Sequence, residues 1–189
     1  MIKDRQKKLE IGIETKLDIS ENQANTVYLS LGSNLGKKKI NLIKAKFLLQ
    51  NSTYIKIIKV SSFYKTESWP NKNDPFFLNI VIKIKTRLKP LELFKLIKNI
   101  EKLLGRKKTP KNSPRECDID ILDYNQKRIN LNLNKDRIII PHPRMHKRNF
   151  VLIPLFEICK NWKHPEFSIK IPLLLEDLKS DNLRSIKLI

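Results

Sequence analysis

Apolar and polar residues alternate in Thr26-Val27-Tyr28-Leu29-Ser30-Leu31. Val27, Leu29 and Leu31 share one face, so the stretch predicts a strand with one side in a core. Gly32-Ser33-Asn34-Leu35-Gly36 breaks that alternation and suits a turn. Ile40, Ile43 and Phe47 then recur at helical spacing and predict a helix over about 37–50. Residues 55–64 read as a second strand. Residues 77–86 read as a third, with Leu78, Ile80, Ile82 and Ile84 on one face and Phe77 and Asn79 on the other. Pro90 stands at a favoured first-turn position of a second helix, Leu93, Ile97, Ile100 and Leu104 form its stripe, and Gly105 ends it. A strand through Asp118 and Asp120, a hairpin turn at 124–128, a short strand at 138–140 and an apolar helix at 151–158 follow, with a short helix near 173–178. This β-α-β-β-α-β rhythm predicts an α+β fold: a ferredoxin-like core sheet with helices on both sides, three layers in all. Residues 1–25 are polar and charged and read as an N-terminal extension, and residues 26–189 as a single domain.

Chemistry concentrates in Pro114-Arg115-Glu116-Cys117-Asp118-Ile119-Asp120-Ile121-Leu122. Strand side chains alternate faces, so Asp118 and Asp120 point one way while Ile119 and Ile121 enter a core. Paired carboxylates suit Mg²⁺, which takes one or two of them and fills its shell with water and phosphate oxygens. Arg115 can fork onto a phosphate. The competing reading is an edge strand with a solvated acidic face. Phe77 and Asn79 can stack on and hydrogen-bond a flat heterocycle, or form a second packing layer. His142 is fixed between prolines among arginines, a setting for an anion. The 32–36 turn lacks the Lys-Ser/Thr of a phosphate-binding loop, and Arg106 to Pro114 forms a basic loop beside the Asp pair.

The chain has 189 residues and a net charge of +20, which attracts polyanions and keeps a nucleic-acid-binding module in play. Lysine, isoleucine and asparagine are spread throughout with no single charged block, which fits compositional drift, and the aromatic pattern of an RNA-binding sheet is absent. The two cysteines, Cys117 and Cys159, match neither a zinc site nor a redox pair. A reducing, cytoplasmic setting is therefore expected. No apolar run spans a bilayer and no signal-peptide core is present.

Several motifs together resemble one family. They are Leu31-Gly32-Ser33-Asn34-Leu35-Gly36, Val60-Ser61-Ser62-Phe63-Tyr64-Lys65-Thr66, Phe77-Leu78-Asn79, and Ile100-Glu101 with Leu104-Gly105-Arg106. Pro114-Arg115 with Asp118-Ile119-Asp120, Pro141-His142-Pro143-Arg144-Met145, and Arg148 with Phe150-Val151-Leu152 and Pro154-Leu155 follow in order. The set resembles 6-hydroxymethyl-7,8-dihydropterin pyrophosphokinase, an enzyme family of folate synthesis, from about Val27 to Ile158. Asn112-Ser113 stands where many members carry Trp-Gly, and the loop is one residue shorter.

The resemblance implies transfer of pyrophosphate from ATP to the pterin hydroxymethyl group, with release of AMP. It implies two Mg²⁺ held by Asp118 and Asp120, with Arg106 and Arg115 neutralising charge at the reacting phosphorus. Glu101, Lys111, Arg115, Ile121, Arg137, Ile139, His142 and Arg148 would border ATP. Thr66, Glu67, Trp69, Phe77, Asn79 and Phe150 would border the pterin. The partners implied are ATP and the pterin, with no nucleic acid and no membrane, and the enzyme is expected to be a monomer. Deleting Met1 to Glu21 is expected to leave turnover intact, because every motif begins after Val27; a truncated chain that fails to fold would refute this.

Overall fold

The computed structural model describes residues 24–189 apart from Lys108, Lys111, Asn134 and Lys135. The expectation for the N-terminal extension up to residue 23, and that for Lys111, lie outside the described residues. The chain runs β1 (Asn25–Ser33), α1 (Lys38–Gln50), β2 (Ile55–Val60), β3 (Tyr64–Thr66), β4 (Phe77–Thr86), α2 (Pro90–Leu103) and β5 (Asp118–Tyr124). It continues with β6 (Ile129–Leu133), β7 (Asp136–Ile140), a short 3₁₀ turn at Met145–Lys147, α3 (Asn149–Ile158), α4 (Ile171–Glu176), α5 (Ser180–Arg184) and β8 (Ile186–Leu188).

The fold is mixed α/β around an antiparallel sheet ordered β5-β1-β4-β3-β8, with β2 also on β4. Period-two alternation splits the strand residues between two cores. Val27, Leu29, Leu31, Ile80, Ile82, Ile84, Ile119 and Ile121 pack against α1 and α2. Tyr28, Val81 and Leu122 pack against Val151, Leu152 and Leu155 of α3, with Trp162, Ile171 and Leu174 beyond. Helices therefore cover both faces. A bulge where β1 meets β5 leaves Leu122 without a partner on β1, between Ile121 paired with Leu29 and Asp123 paired with Tyr28, and Leu122 is buried on the α3 side.

Four sequence expectations change. The first strand does not stop at Leu31: Gly32 and Ser33 stay in it, Gly32 paired with Asn79 on one side and Asp118 on the other. The reversal comes at Gly36, whose φ of +64° suits a residue without a Cβ. The strand expected over 55–64 is split into β2 and β3. Ser61 leaves the ladder but keeps β4 satisfied, since its hydroxyl accepts the Val81 N–H at 2.9 Å and its own N–H donates to the Val81 carbonyl at 2.9 Å. In α1 the residues that carry the helical spacing are not the buried ones. Ile40, Ile43 and Phe47 are exposed, while Leu42, Ala45 and Leu49 have the same spacing and are buried. The small Ala45 lets the helix lie close on the sheet. Near the C-terminus, the helix expected at 173–178 lies at 171–176, and the final residues add β8 to the sheet beside β3.

Glu157 ties α3 to the sheet at Ser62 and Tyr64, where β2 gives way to β3. Its carboxylate accepts from the Ser62 N–H and hydroxyl and from the Tyr64 hydroxyl, at 2.9–3.0 Å. Burial, and then the Glu157 carboxylate, push the Tyr64 phenol up to about 12.

His164 is buried beneath Phe167, stacked at 4.3 Å, with His146 and Trp162 edge-on. Its Nδ1 accepts the Glu166 and Phe167 N–H groups at 3.2 and 3.4 Å, which puts the proton on Nε2. Burial first, and the neighbouring His146 second, push its pKa down to about 4 from 6.5, with Glu166 opposing. The unfolded chain takes up a proton near pH 6.5 that the folded chain refuses until about pH 4. Its stability contribution is thus complete above pH 6.5 and declines as pH falls through that window, by about 3 kcal/mol in total. Replacing His164 with Phe is expected to flatten that part of the stability-against-pH curve. Urea midpoints from pH 4 to 7 that fall equally in both proteins would refute this.

Candidate active site

The site is laid out by one cross-strand row. Asp118 on β5 pairs with Gly32 on β1, Gly32 with Asn79 on β4, and Asn79 with Tyr64 on β3. Directly opposed residues share a face, so the Asp pair and Asn79 look out on the same side of the sheet, about 10 Å apart at the usual strand spacing. Gly32 is the gap between them. A Cβ there would sit 3.0 Å from Asn79 Oδ1 and 3.5 Å from the Phe77 ring.

On the β5 side, two arginines grip Asp118. Arg106 Nη1 donates to Oδ1 at 2.5 Å and Arg115 Nη2 to Oδ2 at 2.6 Å. Burial would raise the Asp118 pKa, but the guanidinium of Arg115 and then that of Arg106 outweigh it and hold the carboxyl below its ordinary value. Glu101, on α2 and 1% exposed, pairs with Arg106 at 2.6 Å and Lys98 at 2.9 Å, and accepts the Ile119 N–H at 2.8 Å. It thereby caps the free edge of β5. Burial pushes its carboxyl up, opposed by Lys98 and Arg106.

Asp120 is held more loosely. Arg148 Nη1 lies 3.5 Å from Oδ2 and His142 Nε2 lies 3.8 Å from it. His142 Nδ1 accepts the Arg144 N–H at 3.1 Å, so Nε2 carries the hydrogen and faces Asp120. Burial lowers the His142 pKa; Asp120 opposes this, while Arg148 and Arg144 reinforce it. His142 reaches this position because its N–H donates to the Leu122 carbonyl on β5 at 3.3 Å.

On the β4 side, Asn79 is buried and its Nδ2 donates to Thr66 Oγ1 at 2.9 Å. Phe77 lies beneath the Arg115 guanidinium at 5.3 Å, and Phe150 beneath that of Arg148 at 5.4 Å. Cation–ring contacts thus join the aromatic half of the site to the charged half. Arg115 Nε is buried and has no hydrogen-bond partner among the described residues.

The fold therefore gathers Arg106, Arg115, Asp118, Asp120, His142 and Arg148, and beside them Thr66, Phe77, Asn79 and Phe150. Other expected residues stand apart. Glu67 pairs with Lys72 at 3.0 Å in an exposed contact, and Trp69 is 70% exposed. Arg137 is exposed and donates to Asn130 Oδ1 at 3.1 Å within the β6–β7 pair. Ile139 is half-buried on β7, and Ile121 is buried on the face opposite the two aspartates. Sequence reasoning treated Asn34 only as a turn former and passed over Ser68. Both prove to be buried and hydrogen-bonded into the site's framework. Their flanking glycine and loop residues gave no signal of this.

Among the described residues no group of three or more His, Cys, Asp or Glu side chains converges. The chain's hard donors here are the two carboxylates, a set that fits Mg²⁺ when a polyphosphate supplies further oxygens. Two strand carboxylates ringed by guanidiniums, next to an aromatic–amide recess, form the kind of site that suits a polyphosphate beside a flat ring, as in phosphoryl-type transferases. A model of the 7,8-dihydro-6-hydroxymethylpterin-pyrophosphokinase family matches residues 28–160, and the chain belongs to this family. The Bacillus subtilis 2-amino-4-hydroxy-6-hydroxymethyldihydropteridine pyrophosphokinase is 41% identical over 136 residues, covering 72% of this chain and 79% of that protein. The Aquifex aeolicus protein of the same name is 44% identical over 140 residues, covering 74% and 84%. Wild-type Plasmodium falciparum HPPK-DHPS superposes with a TM-score of 0.69 at 19% identity, over 93% of this chain and 50% of that one, which shows a shared fold.

Proposed function

We infer that this chain transfers pyrophosphate from ATP to the hydroxymethyl group of 6-hydroxymethyl-7,8-dihydropterin, yielding AMP and the pterin diphosphate in folate biosynthesis. The observation that carries this reading is the single row that sets Asp118 across Gly32 from Asn79. It puts an anion-handling end and a heterocycle-binding end on one face, a short reach apart.

Two Mg²⁺ at Asp118 and Asp120 would neutralise the triphosphate and lower the pKa of the attacking hydroxyl. Before the ligands arrive, Arg115 and Arg106 hold Asp118 as the carboxylate against the effect of burial. Arg106 and Arg115 now spend their charge on Asp118. With the triphosphate present they are the donors that turn to its oxygens, and a turn of Arg115 would also bring its Nε, buried and without a partner among the described residues, to a donor position. Arg148 and His142 approach the phosphates from the α3 side. Glu101 holds Arg106 in place from behind, while Ile139, Arg137 and the backbone of Ile121, whose side chain is in the core on the opposite face, flank the nucleotide side. The pterin ring lies between Phe77 and Phe150, with Asn79 and Thr66 reading its edge; Glu67 and Trp69, on the solvent side of the loop, would border it once that loop folds over the bound ring.

The path β1-α1-β2-β4-α2-β5, with its sheet order, supports a ferredoxin-like core. No helix among the described residues is long and apolar enough to cross a membrane. A cytoplasmic monomer remains our reading of this chain.

The direct test mixes the protein with Mg²⁺, ATP and the dihydropterin alcohol. AMP and a diphosphorylated pterin are expected, and their absence would refute the reading. Truncating Phe77 to Ala is expected to weaken pterin binding about tenfold, the scale of one lost aromatic stack. The affinity for a non-hydrolysable ATP analogue should change far less. Equal loss of both ligands by calorimetry, with the fold intact, would refute the assignment of Phe77. Nucleic-acid binding driven by the charge of +20 is expected to be weak and to collapse with added salt.

A further inference from the structure

Asn34 lies just past β1, 1% exposed, and its hydrogen bonds reach two distant segments. Its own N–H and that of Leu35 donate to the Arg115 carbonyl at 3.1 and 3.2 Å. Its Oδ1 accepts the Arg115 N–H at 2.8 Å. That bond fixes the amide orientation, so Nδ2 faces Ser68 Oγ, 3.3 Å away, as donor. The buried Ser68 hydroxyl has one proton and gives it to the Pro75 carbonyl at 2.6 Å, which leaves it as acceptor toward Asn34. Thr66 and Ser68 are the buried, alternate residues of one run, with Glu67 and Trp69 exposed between and after them. Thr66 holds Asn79, and Ser68 holds Asn34.

We propose that Asn34 is a positioning residue that fastens the Thr66–Pro75 loop, through Ser68, to the backbone of Arg115, so that the pterin-side loop and the Arg115 guanidinium are placed as one unit. This rests on the function inferred above and deepens it. The link is direct. Arg115 spans from the clamped backbone to Asp118 at 2.6 Å and to the Phe77 ring at 5.3 Å. The Asn34 amide is the shared point: one end holds the Arg115 N–H and the other the Ser68 hydroxyl, so an amide that loses Ser68 is free to turn and slackens its hold on the backbone from which that guanidinium is aimed. A misplacement of about 1 Å in such a group can cost about a hundredfold in rate.

The test uses the full chain with Ser68→Ala, Ser68→Thr, Asn34→Ala and the Asn34→Ala/Ser68→Ala pair. Two readouts are taken: hydrogen exchange of residues 67–76 without substrates, and kcat with KM for each substrate. Ser68→Ala is expected to speed loop exchange and to lower kcat, each by about tenfold, the scale of one buried hydrogen bond. KM for ATP should stay within about twofold, because the substituted atom contacts no group assigned to the nucleotide. Ser68→Thr keeps the hydroxyl and should restore both. The double variant should lose less than the product of the two single losses, since both substitutions remove the Asn34–Ser68 bond, although Ser68→Ala also removes the bond to Pro75 and Asn34→Ala the bond from the Arg115 N–H. Fully multiplicative losses would overturn the proposal. Should Asn34→Ala fail to fold, Asn34→Asp takes its place, since it keeps the acceptor for the Arg115 N–H and loses the donor to Ser68; loop exchange at the wild-type rate in that variant would overturn the proposal. Unchanged loop exchange in Ser68→Ala, a kcat equal to wild type, or failure of Ser68→Thr to restore them would overturn the proposal. A wild-type protein that releases no AMP would instead strike the inferred function, and the exchange readout would still decide whether Asn34 fastens the loop.

Discussion

Asp120→Asn is expected to cut AMP release by ~10²–10³, the usual loss when one well-placed charge-stabilising group is removed. Asparagine keeps the size and one oxygen but not the charge. The fold has little invested in Asp120. Its nearest cations are Arg148 at 3.5 Å and His142 at 3.8 Å, both beyond a strong hydrogen bond, and its side chain is a third exposed. The melting temperature should therefore shift by less than ~4 °C, about 1 kcal/mol for a chain of this size. Asp118→Asn is expected to behave differently, because it breaks contacts of 2.5 and 2.6 Å to two arginines and leaves their charges partly buried. It should lose both rate and stability. Steady-state rates across a Mg²⁺ titration, with calorimetric melting of the same samples, separate the two. An Asp120→Asn enzyme with full Mg²⁺-dependent activity would remove this stretch from the chemistry.

Arg115→Ala should be at least as damaging, by ~10³ in kcat, the lower end of what a charge-neutralising arginine contributes to phosphoryl transfer. Its side chain meets Asp118 Oδ2 at 2.6 Å, the Ser113 carbonyl at 3.1 Å and the Phe77 ring at 5.3 Å. Pterin affinity should fall as well, since Phe77 loses the cation above it. Arg115→Lys should recover little. An ammonium cannot hold a carboxylate, a carbonyl and a ring from one planar group. Kinetics of both variants, with pterin binding measured by fluorescence, check this. A lysine variant at wild-type kcat would show that only charge at this position matters.

The carboxylate pair was legible because strand periodicity is local: Asp118 and Asp120 are two residues apart and must share a face. The same rule separated Phe77 and Asn79 from Leu78 and Ile80. Asn34 was not legible beyond its turn. Its partners, Arg115 and Ser68, are far away in sequence and reach it only when β5 and β3 take their places beside β1 and β4. The residues expected to border the pterin divide in the same way. Thr66 is held inward by Asn79, whereas the neighbouring Glu67 and Trp69 lie on the solvent side of the loop.

By itself the sequence determined most of the strands and helices from β1 to α3, which strand faces carry charge, and the family to which the ordered motifs belong, but not the split of β2 from β3, nor β6, α5 and β8. These depend on periodicities of two and 3.6 residues and on short fixed spacings. Only the tertiary structure decided that Leu42, Ala45 and Leu49, rather than Ile40, Ile43 and Phe47, face the core. Both stripes have the same spacing, and the choice between them is made by the sheet surface against which α1 packs. It alone decided that Gly32 continues a strand instead of breaking it, because the residue's neighbours there are Asn79 and Asp118 from other strands. It also decided how the charges pair, with Asp118 locked between two arginines and Asp120 left open. That division follows from where α2, the Arg115 segment and the start of α3 end in space, and Coulomb interactions depend on that distance rather than on sequence separation.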